Sequence, residues 1–173
     1  MTISTTTTLA SAAGNGSTHS FAYGFKIFAN ADLQVIIRSS AGVETTKTLD
    51  THYIVTGAGS ASGGNVLFKF NTGTSSDAHY STSDYRPASG ETVIIKRVIG
   101  LTQSTDYIEN DTFSASDHEN ALDRLTMIGQ QIQEASDRSF KVSSTNSITT
   151  PEFTDNAAAR ASKVLGFSSD GNS

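Results

Sequence analysis

Histidine is the residue type in this sequence best suited to binding a metal ion or exchanging protons, because imidazole titrates near neutral pH and is a common metal ligand. The four histidines are His19, His52, His79 and His118. They lie far apart in the chain, and no pair has the spacing of a helical metal motif such as HExxH. The absence of cysteine also excludes disulfides, thiolate ligands and cysteine nucleophiles. The sequence therefore predicts no metal site.

Other patterns associated with catalysis are incomplete. The glycine-rich residues 57–63 miss the GxGxxG register of a phosphate-binding loop and precede no predicted helix. Residues 106–117 have the length of an EF-hand loop but lack acids at the third and fifth positions and glycine at the sixth. The carboxylates that could form a glycosidase pair are Asp77, Asp84, Glu91, Asp106, Glu109 and Asp111. Because any acidic protein offers such pairs, we predict no enzyme, no catalytic residue and no cofactor.

The composition argues against nucleic acid and membranes as partners. The formal net charge is −5, and no basic cluster exceeds the pair Lys96 and Arg97, so the electrostatic footprint of a nucleic-acid-binding protein is lacking. No apolar run approaches the roughly 20 residues of a membrane span. Residues 1–9 have neither the basic nor the apolar region of a signal peptide. We therefore expect no nucleic-acid partner, no membrane insertion and no export through a signal of its own.

Residues 1–113 are predicted to form a mainly β head, similar to a β-sandwich, because short runs of alternating hydrophobicity are separated by turn residues. The predicted strands are residues 2–8, 18–26, 32–38, 43–49, 52–56, 66–70 and 92–98. Two loops lie between them. Residues 57–64 are small and flexible, whereas residues 71–90 are long and polar, and loops of that length are often functional.

Residues 114–140 are predicted to form one long amphipathic helix, with residues 116–119 as a capping box at its start. Its apolar positions follow one another at intervals of 4, 3, 4 and 3 residues, which is the spacing of a heptad seam. These positions, called the apolar seam below, are Ala121, Leu125, Ile128, Ile132 and Ala135. Leu122 and Met127 flank the seam and are candidates for packing on the head instead.

Two interpretations of the apolar seam remain open. Periodicity alone allows it to pack on the chain's own sheet. Self-association is favoured because the seam is narrow, the opposite face is polar, and an isolated helix of about three heptads is marginal in water. The polar face consists of Asn120, Asp123, Arg124, Gln131 and Glu134. Isoleucine at both types of seam position favours a bundle of three or more helices over a dimer. Residues 141–173 are predicted to be an extended linker and a short helix, leading into the shaft of a longer protein.

Two sequence stretches resemble the N-terminal tail-attachment domain of tail fibres from short-tailed, T7-like bacteriophages. The first is Arg97-Val-Ile-Gly-Leu-Thr-Gln-Ser-Thr-Asp-Tyr107, and the second is Glu119-Asn-Ala-Leu-Asp-Arg-Leu-Thr-Met-Ile-Gly-Gln-Gln131. Shorter stretches from Gly14 to Gly57, and residues 157–167, are also similar to that family, so the resemblance covers nearly the whole chain. Two features depart from it. The loop of residues 71–90 is longer than usual, and Gly129 lies inside the helix, where glycine costs about 1 kcal/mol relative to alanine.

The resemblance implies a non-catalytic, homotrimeric virion protein that fastens the fibre to the phage tail, contacting the tail adaptor and nozzle proteins. Receptor binding would then lie farther toward the C-terminus. The trimer interface would be the apolar seam. The residues expected to dock on the tail are Thr102, Gln103, Thr105, Asp106 and Tyr107, together with the two loops. The alternatives are a carbohydrate-binding domain with Tyr80 and Tyr85 as its aromatic platform, the head of a glycan-cleaving tailspike, and a bacterial adhesin stalk.

Overall fold

The computed structural model describes residues 3–103, 105–106, 109, 113–141 and 145. The chain divides into two compact units, Met1–Arg138 and Ser139–Ser173. The described part of the first unit is mainly β, with two antiparallel sheets and one α-helix of 23 residues. The strands are β1 (Leu9–Ala13), β2 (Ser20–Tyr23), β3 (Leu33–Arg38), β4 (Glu44–Lys47), β5 (Tyr53–Val55), β6 (Gly64–Phe68) and β7 (Thr92–Arg97), and the helix is α1 (Ala115–Asp137). The predicted fold class is confirmed at this level.

The larger sheet has four strands in the order β1-β7-β3-β4, and all neighbours are antiparallel. Strands β3 and β7 lie at its centre, with Val35 opposite Ile95 and Ile37 opposite Val93. These four side chains are buried, while the residues between them are half-buried. The alternation that predicted these strands therefore reflects one face turned to the core.

The smaller sheet has three strands in the order β2-β6-β5. Its aromatic side chains Phe21, Tyr53 and Phe68 join the aliphatic residues of the larger sheet in one hydrophobic core. Phe68 contacts both other rings, edge-on to Phe21 and tilted to Tyr53. The two sheets thus bury their apolar faces against each other, as a domain of this size requires.

The first predicted strand, residues 2–8, is wrong. Within residues 3–8 no strand forms, and β1 begins only at Leu9. Threonine has a high β-propensity, but two backbone groups of this segment bond to the helix. The Ile3 amide donates to Asp123 (3.1 Å), and the Thr5 carbonyl accepts from Gln130 (2.9 Å). Residues 3–8 therefore run between the head and α1.

The helix begins slightly earlier than its predicted cap. Ser114 is the N-cap, and its hydroxyl accepts a hydrogen bond from the Asp117 amide at 3.3 Å. Ser116, the predicted cap, is already the second helical residue. A serine at either position can satisfy a free amide of the first turn, so the sequence alone does not distinguish the two.

Candidate functional site

The polar side of α1 packs on the head. Asp123 is 3% exposed and forms an ion pair with Lys26 at 2.8 Å, while Lys26 also lies over the ring of Phe28. Beside this pair, Met127 is completely buried. Buried carboxylates are rare unless they are paired, so the Asp123–Lys26 contact fixes which side of the helix faces the head.

Farther along the helix, Gln130 joins the head to the N-terminal segment. Its side-chain oxygen accepts from the buried guanidinium of Arg97, and its amide nitrogen donates to the Thr5 carbonyl. Burial lowers the pKa of Arg97 from its ordinary value, because desolvation disfavours the charged form. The same guanidinium donates to the Lys26 carbonyl at 3.4 Å and lies over the Phe25 ring. Gln130 thus gives the Arg97 guanidinium an acceptor and the Thr5 carbonyl a donor.

Gln131 and Arg124 bond to the backbone that follows β7. The Gln131 side chain accepts from the Ile99 amide at 2.7 Å and donates to the Ile99 carbonyl at 3.3 Å. Arg124 donates to the Gly100 carbonyl at 3.1 Å. Because the strand has ended, these backbone groups have no sheet partner and need one from elsewhere. Gln131 and Arg124 on α1 supply these partners.

Glu134, on the next turn of α1, also contacts the head. Its carboxylate lies 3.5 Å from the Lys96 ammonium and 2.9 Å from Arg138 on the same helix. The head-facing side of α1, defined as Asp123, Met127, Gln130, Gln131 and Glu134, therefore contacts the head over several turns. Of these residues, Asp123, Gln131 and Glu134 were predicted to belong to the polar face opposite the seam, Met127 was predicted to flank the seam, and Gln130 was assigned to neither. The missed signal is a second heptad-like series, Asp123, Met127, Gln130 and Glu134, at intervals of 4, 3 and 4 residues.

The apolar seam lies on a different side of α1 from most of this contact, and it is largely exposed to solvent. Leu125 is 65% and Ile132 58% exposed. Ala135 is also exposed, while Ala121 and Ile128 are half-buried. Leu125 and Ile132 therefore do not pack on the chain's own sheet, and that interpretation of the seam is wrong for these two residues. Of the two flanking residues, Met127 packs on the head as expected, whereas Leu122 is 52% exposed and does not.

Two of the residues expected to dock on the tail, Thr102 and Gln103, lie beside the seam. Thr102, Gln103 and Asp106 are exposed, and the Gln103 side chain accepts from the Thr105 amide. Tyr107 lies outside the described residues. Together with Leu101, which is 69% exposed, Thr102 and Gln103 form one wall of a shallow groove whose other wall is α1. The structure thus brings this segment next to the helix.

The two predicted loops differ in how they are held. Residues 57–64 turn at Gly57, Gly59 and Gly63, which have positive φ angles of 85°, 83° and 80°. In the longer loop, His79 stacks on the ring of Phe70 (5.1 Å) and the guanidinium of Arg86 also lies over that ring (4.9 Å), which contacts His19 as well. This loop is therefore packed on the end of β6 and not free of the head.

The carboxylates of the longer loop serve local structure. Hydrogen bonds from Arg86 hold the pKa of Asp84 below its usual range, and the Thr74 amide does the same for Asp77. Within the described part of the chain, no group of three or more His, Cys, Asp or Glu side chains is arranged to hold a metal ion. Tyr85, offered as part of an aromatic platform, packs edge-on against His52 and against the core. These contacts lend no specific support to a glycosidase or a carbohydrate platform.

Among the described residues, no helix is long and apolar enough to cross a membrane. No protein-family model matches the chain, and no curated protein matches it either. The resemblance to phage tail-fibre attachment domains therefore rests on the quoted residues alone.

Proposed function

We propose that this chain is the tail-attachment part of a bacteriophage tail fibre, a structural virion protein that acts as a homotrimer. The observation that carries the proposal is the exposed seam on a helix whose other side is occupied. The head covers the polar side of α1, whereas Leu125 and Ile132 of the seam are exposed, so the seam is available to a partner. Burying Leu125 and Ile132 would contribute roughly 1.5–3 kcal/mol each to the free energy of association, so a partner that covers the seam would be bound favourably.

The contact between α1 and the head suits a mechanical role. A helix bound only through a flexible linker would leave the fibre free to swing. Here the ion pair of Asp123 and the hydrogen bonds of Gln130 and Gln131 hold the helix against Lys26, Arg97 and Ile99 of the head. Hydrogen bonds and buried ion pairs are directional and give orientation more than stability. The head would therefore set the direction of the fibre shaft.

The attachment to the tail is the part of the proposal that rests on the resemblance. In that family the domain contacts the tail adaptor and nozzle proteins. On this chain, Thr102, Gln103 and Asp106 offer exposed polar side chains for such a contact. Host recognition would be carried by another part of the fibre.

A charge introduced into the seam tests the trimer. Ile128→Asp would place an unpaired carboxylate among apolar side chains, so it should dissociate the assembly in sedimentation experiments. Gln133→Asp makes the same charge change at an exposed position outside the seam, and it should leave the trimer intact. If both variants sediment like the wild type, the seam is not the interface.

A second experiment tests the tail partner. Fibre-free phage particles should bind the wild-type chain and bind it much more weakly when Thr102 and Gln103 are replaced by aspartate. Equal binding of both proteins would contradict the proposed docking residues, and no binding of the wild type would contradict the attachment role. If the chain bound a glycan array and not the phage particles, the result would favour the carbohydrate-binding alternative.

A further inference from the structure

The N-terminal segment, residues 3–8, is attached to the larger sheet at one end and to α1 at the other. Thr8 is buried, and its carbonyl accepts a hydrogen bond from the Arg97 amide of β7 at 2.9 Å. Toward the N-terminus, the Ile3 amide and the Thr5 carbonyl bond to side chains of α1. Their neighbours along the segment are exposed: Ser4, Thr6 and Thr7. The segment therefore crosses from the sheet to the helix.

Two side chains of α1 each join this segment to the head. One carboxylate oxygen of Asp123 accepts from the Ile3 amide at 3.1 Å, and the other pairs with Lys26 at 2.8 Å. Gln130 repeats the arrangement with its side-chain amide group. Its nitrogen donates to the Thr5 carbonyl at 2.9 Å, and its oxygen accepts from the guanidinium of the last residue of β7. Each of the two side chains is thus shared between the segment and the head.

The docking of α1 depends on the segment because the segment covers Asp123. This carboxylate is 3% exposed, and one of its oxygens faces the Ile3 amide. When the segment detaches, water reaches that oxygen and competes with Lys26 for the carboxylate. Opposite charges attract each other more weakly where water has access. Loss of the segment therefore weakens the ion pair that holds the helix on the head.

We propose that residues 3–8 act as a strap that holds α1 in its docked position, and that release of the strap and undocking of the helix favour each other. Thr8 is the fixed end, because it continues the pairing of β1 with β7. Ile3 and Thr5 belong to the end that detaches. Undocking of α1 in turn removes the partners of both residues. The strap and the helix therefore open together, as a local unit that opens below global unfolding.

A coupling of this kind is reciprocal. A molecule that binds the Ile3 amide or the Thr5 carbonyl competes with Asp123 and Gln130, so it would also loosen α1. The N-terminal segment would then control the direction of the helix relative to the head. The inference concerns contacts within one copy of the chain, so it holds whether or not the chain forms a trimer.

Ile3→Pro tests the strap from the side of the segment. Proline has no backbone amide hydrogen, so the variant removes the bond to Asp123 and keeps the length of the chain. In hydrogen exchange of the full chain, the amides of α1 should exchange at least tenfold faster than in the wild type. The amides of β3 and β7 should exchange as before, because these strands lie at the centre of the larger sheet.

Thr6→Pro is the matched control. It introduces the same ring at an exposed position whose amide makes no hydrogen bond among the described residues, so the exchange of α1 should match that of the wild type. All proteins are compared at one protomer concentration. Unchanged exchange of α1 in Ile3→Pro would overturn the inference. An equal rise in α1 and in the two strands, or the same rise in Thr6→Pro, would overturn it as well.

Gln130→Glu tests the reciprocal effect from the side of the helix. The new carboxylate still accepts from the Arg97 guanidinium, but the donor to the Thr5 carbonyl is lost. NMR order parameters of residues 3–7 should be about 0.85 in the wild type and should fall below about 0.6 in this variant. Gln133→Glu makes the same change at an exposed position, where the side chain bonds to a neighbour within the helix, and it should leave the order parameters unchanged. A segment that is equally ordered in all three proteins, or flexible already in the wild type, would contradict the strap.

Discussion

Replacing Asp123 with alanine should detach α1 from the head and lower the free energy of unfolding substantially. Asp123 and Lys26 form their ion pair with side chains only 4% and 6% exposed. Removing one partner of a buried pair costs about 3–5 kcal/mol, because the other charge stays in a poorly solvated site. An exposed pair would cost only about 0–1 kcal/mol.

Two neighbouring contacts adjust this estimate in opposite directions. The Ile3 amide would lose its acceptor, and an unsatisfied buried donor costs about 1–3 kcal/mol. Lys26 would keep its contact with the Phe28 ring, which is worth about 0.5–2 kcal/mol. The two adjustments are similar in size, so we expect the loss to stay at about 3–5 kcal/mol. In a chain of this size that corresponds to a fall in Tm of about 6–20 °C.

The assay is chemical denaturation of wild type, Asp123→Ala, Lys26→Met and the double variant Lys26→Met with Asp123→Leu. All proteins are compared at one protomer concentration, because the stability of a trimer depends on it. The double variant should recover much of the loss, since well-packed apolar residues often replace a buried ion pair without cost. A loss below about 0.5 kcal/mol for Asp123→Ala would refute the buried contact, as that is the range of surface substitutions.

Three further outcomes follow from individual contacts. Met127→Ala should cost about 2–5 kcal/mol in chemical denaturation, because its completely buried side chain leaves a cavity between α1 and the head. Gly63→Ala should cost more than about 3 kcal/mol, since its Cβ would collide with the Tyr23 carbonyl, whereas Gly59→Ala meets nothing and should cost only the ~1–2 kcal/mol of left-handed strain. Burial raises the pKa of Tyr23 above its ordinary value, so its contribution to stability is complete below about pH 10 and is lost as the pH rises through the folded pKa. Tyr23→Phe should therefore flatten the alkaline decline in the free energy of unfolding. A decline equal to that of the wild type would contradict this assignment.

Local signals predicted most of the head correctly. The hairpin of β3 and β4 follows from alternating residues on both sides of Gly42, whose φ of 82° suits a turn. Strands β5, β6 and β7 lie within about two residues of their predicted positions. These elements were predictable because their hydrophobic alternation and their pairing partners agree.

The N-terminal threonines show where local signals fail. Their β-propensity predicts a strand, yet the Ile3 amide and the Thr5 carbonyl find partners on α1, more than a hundred residues away. β-Propensity is a preference that tertiary contacts can override, and here the hydrogen-bond partners on α1 decide the conformation. Nothing in residues 2–8 indicates that partner.

The orientation of the helix could not be predicted for a similar reason. The heptad seam was correctly recognised as an apolar stripe, but a polar helix face ordinarily lies in solvent. Here Asp123 finds Lys26 at a sequence separation of 97 residues, and Gln130 finds Arg97 at 33. Such pairs depend on the finished fold of the head. The groove beside the seam likewise became visible only once α1 was placed.

The mass of the chain in solution tests the central claim most directly. Light scattering at micromolar protomer concentration should give three times the 18.2 kDa of one chain. The exposed seam on a helix fixed to the head predicts this result. A mass of a single chain, or of two, would contradict the trimer on which the proposed attachment role depends.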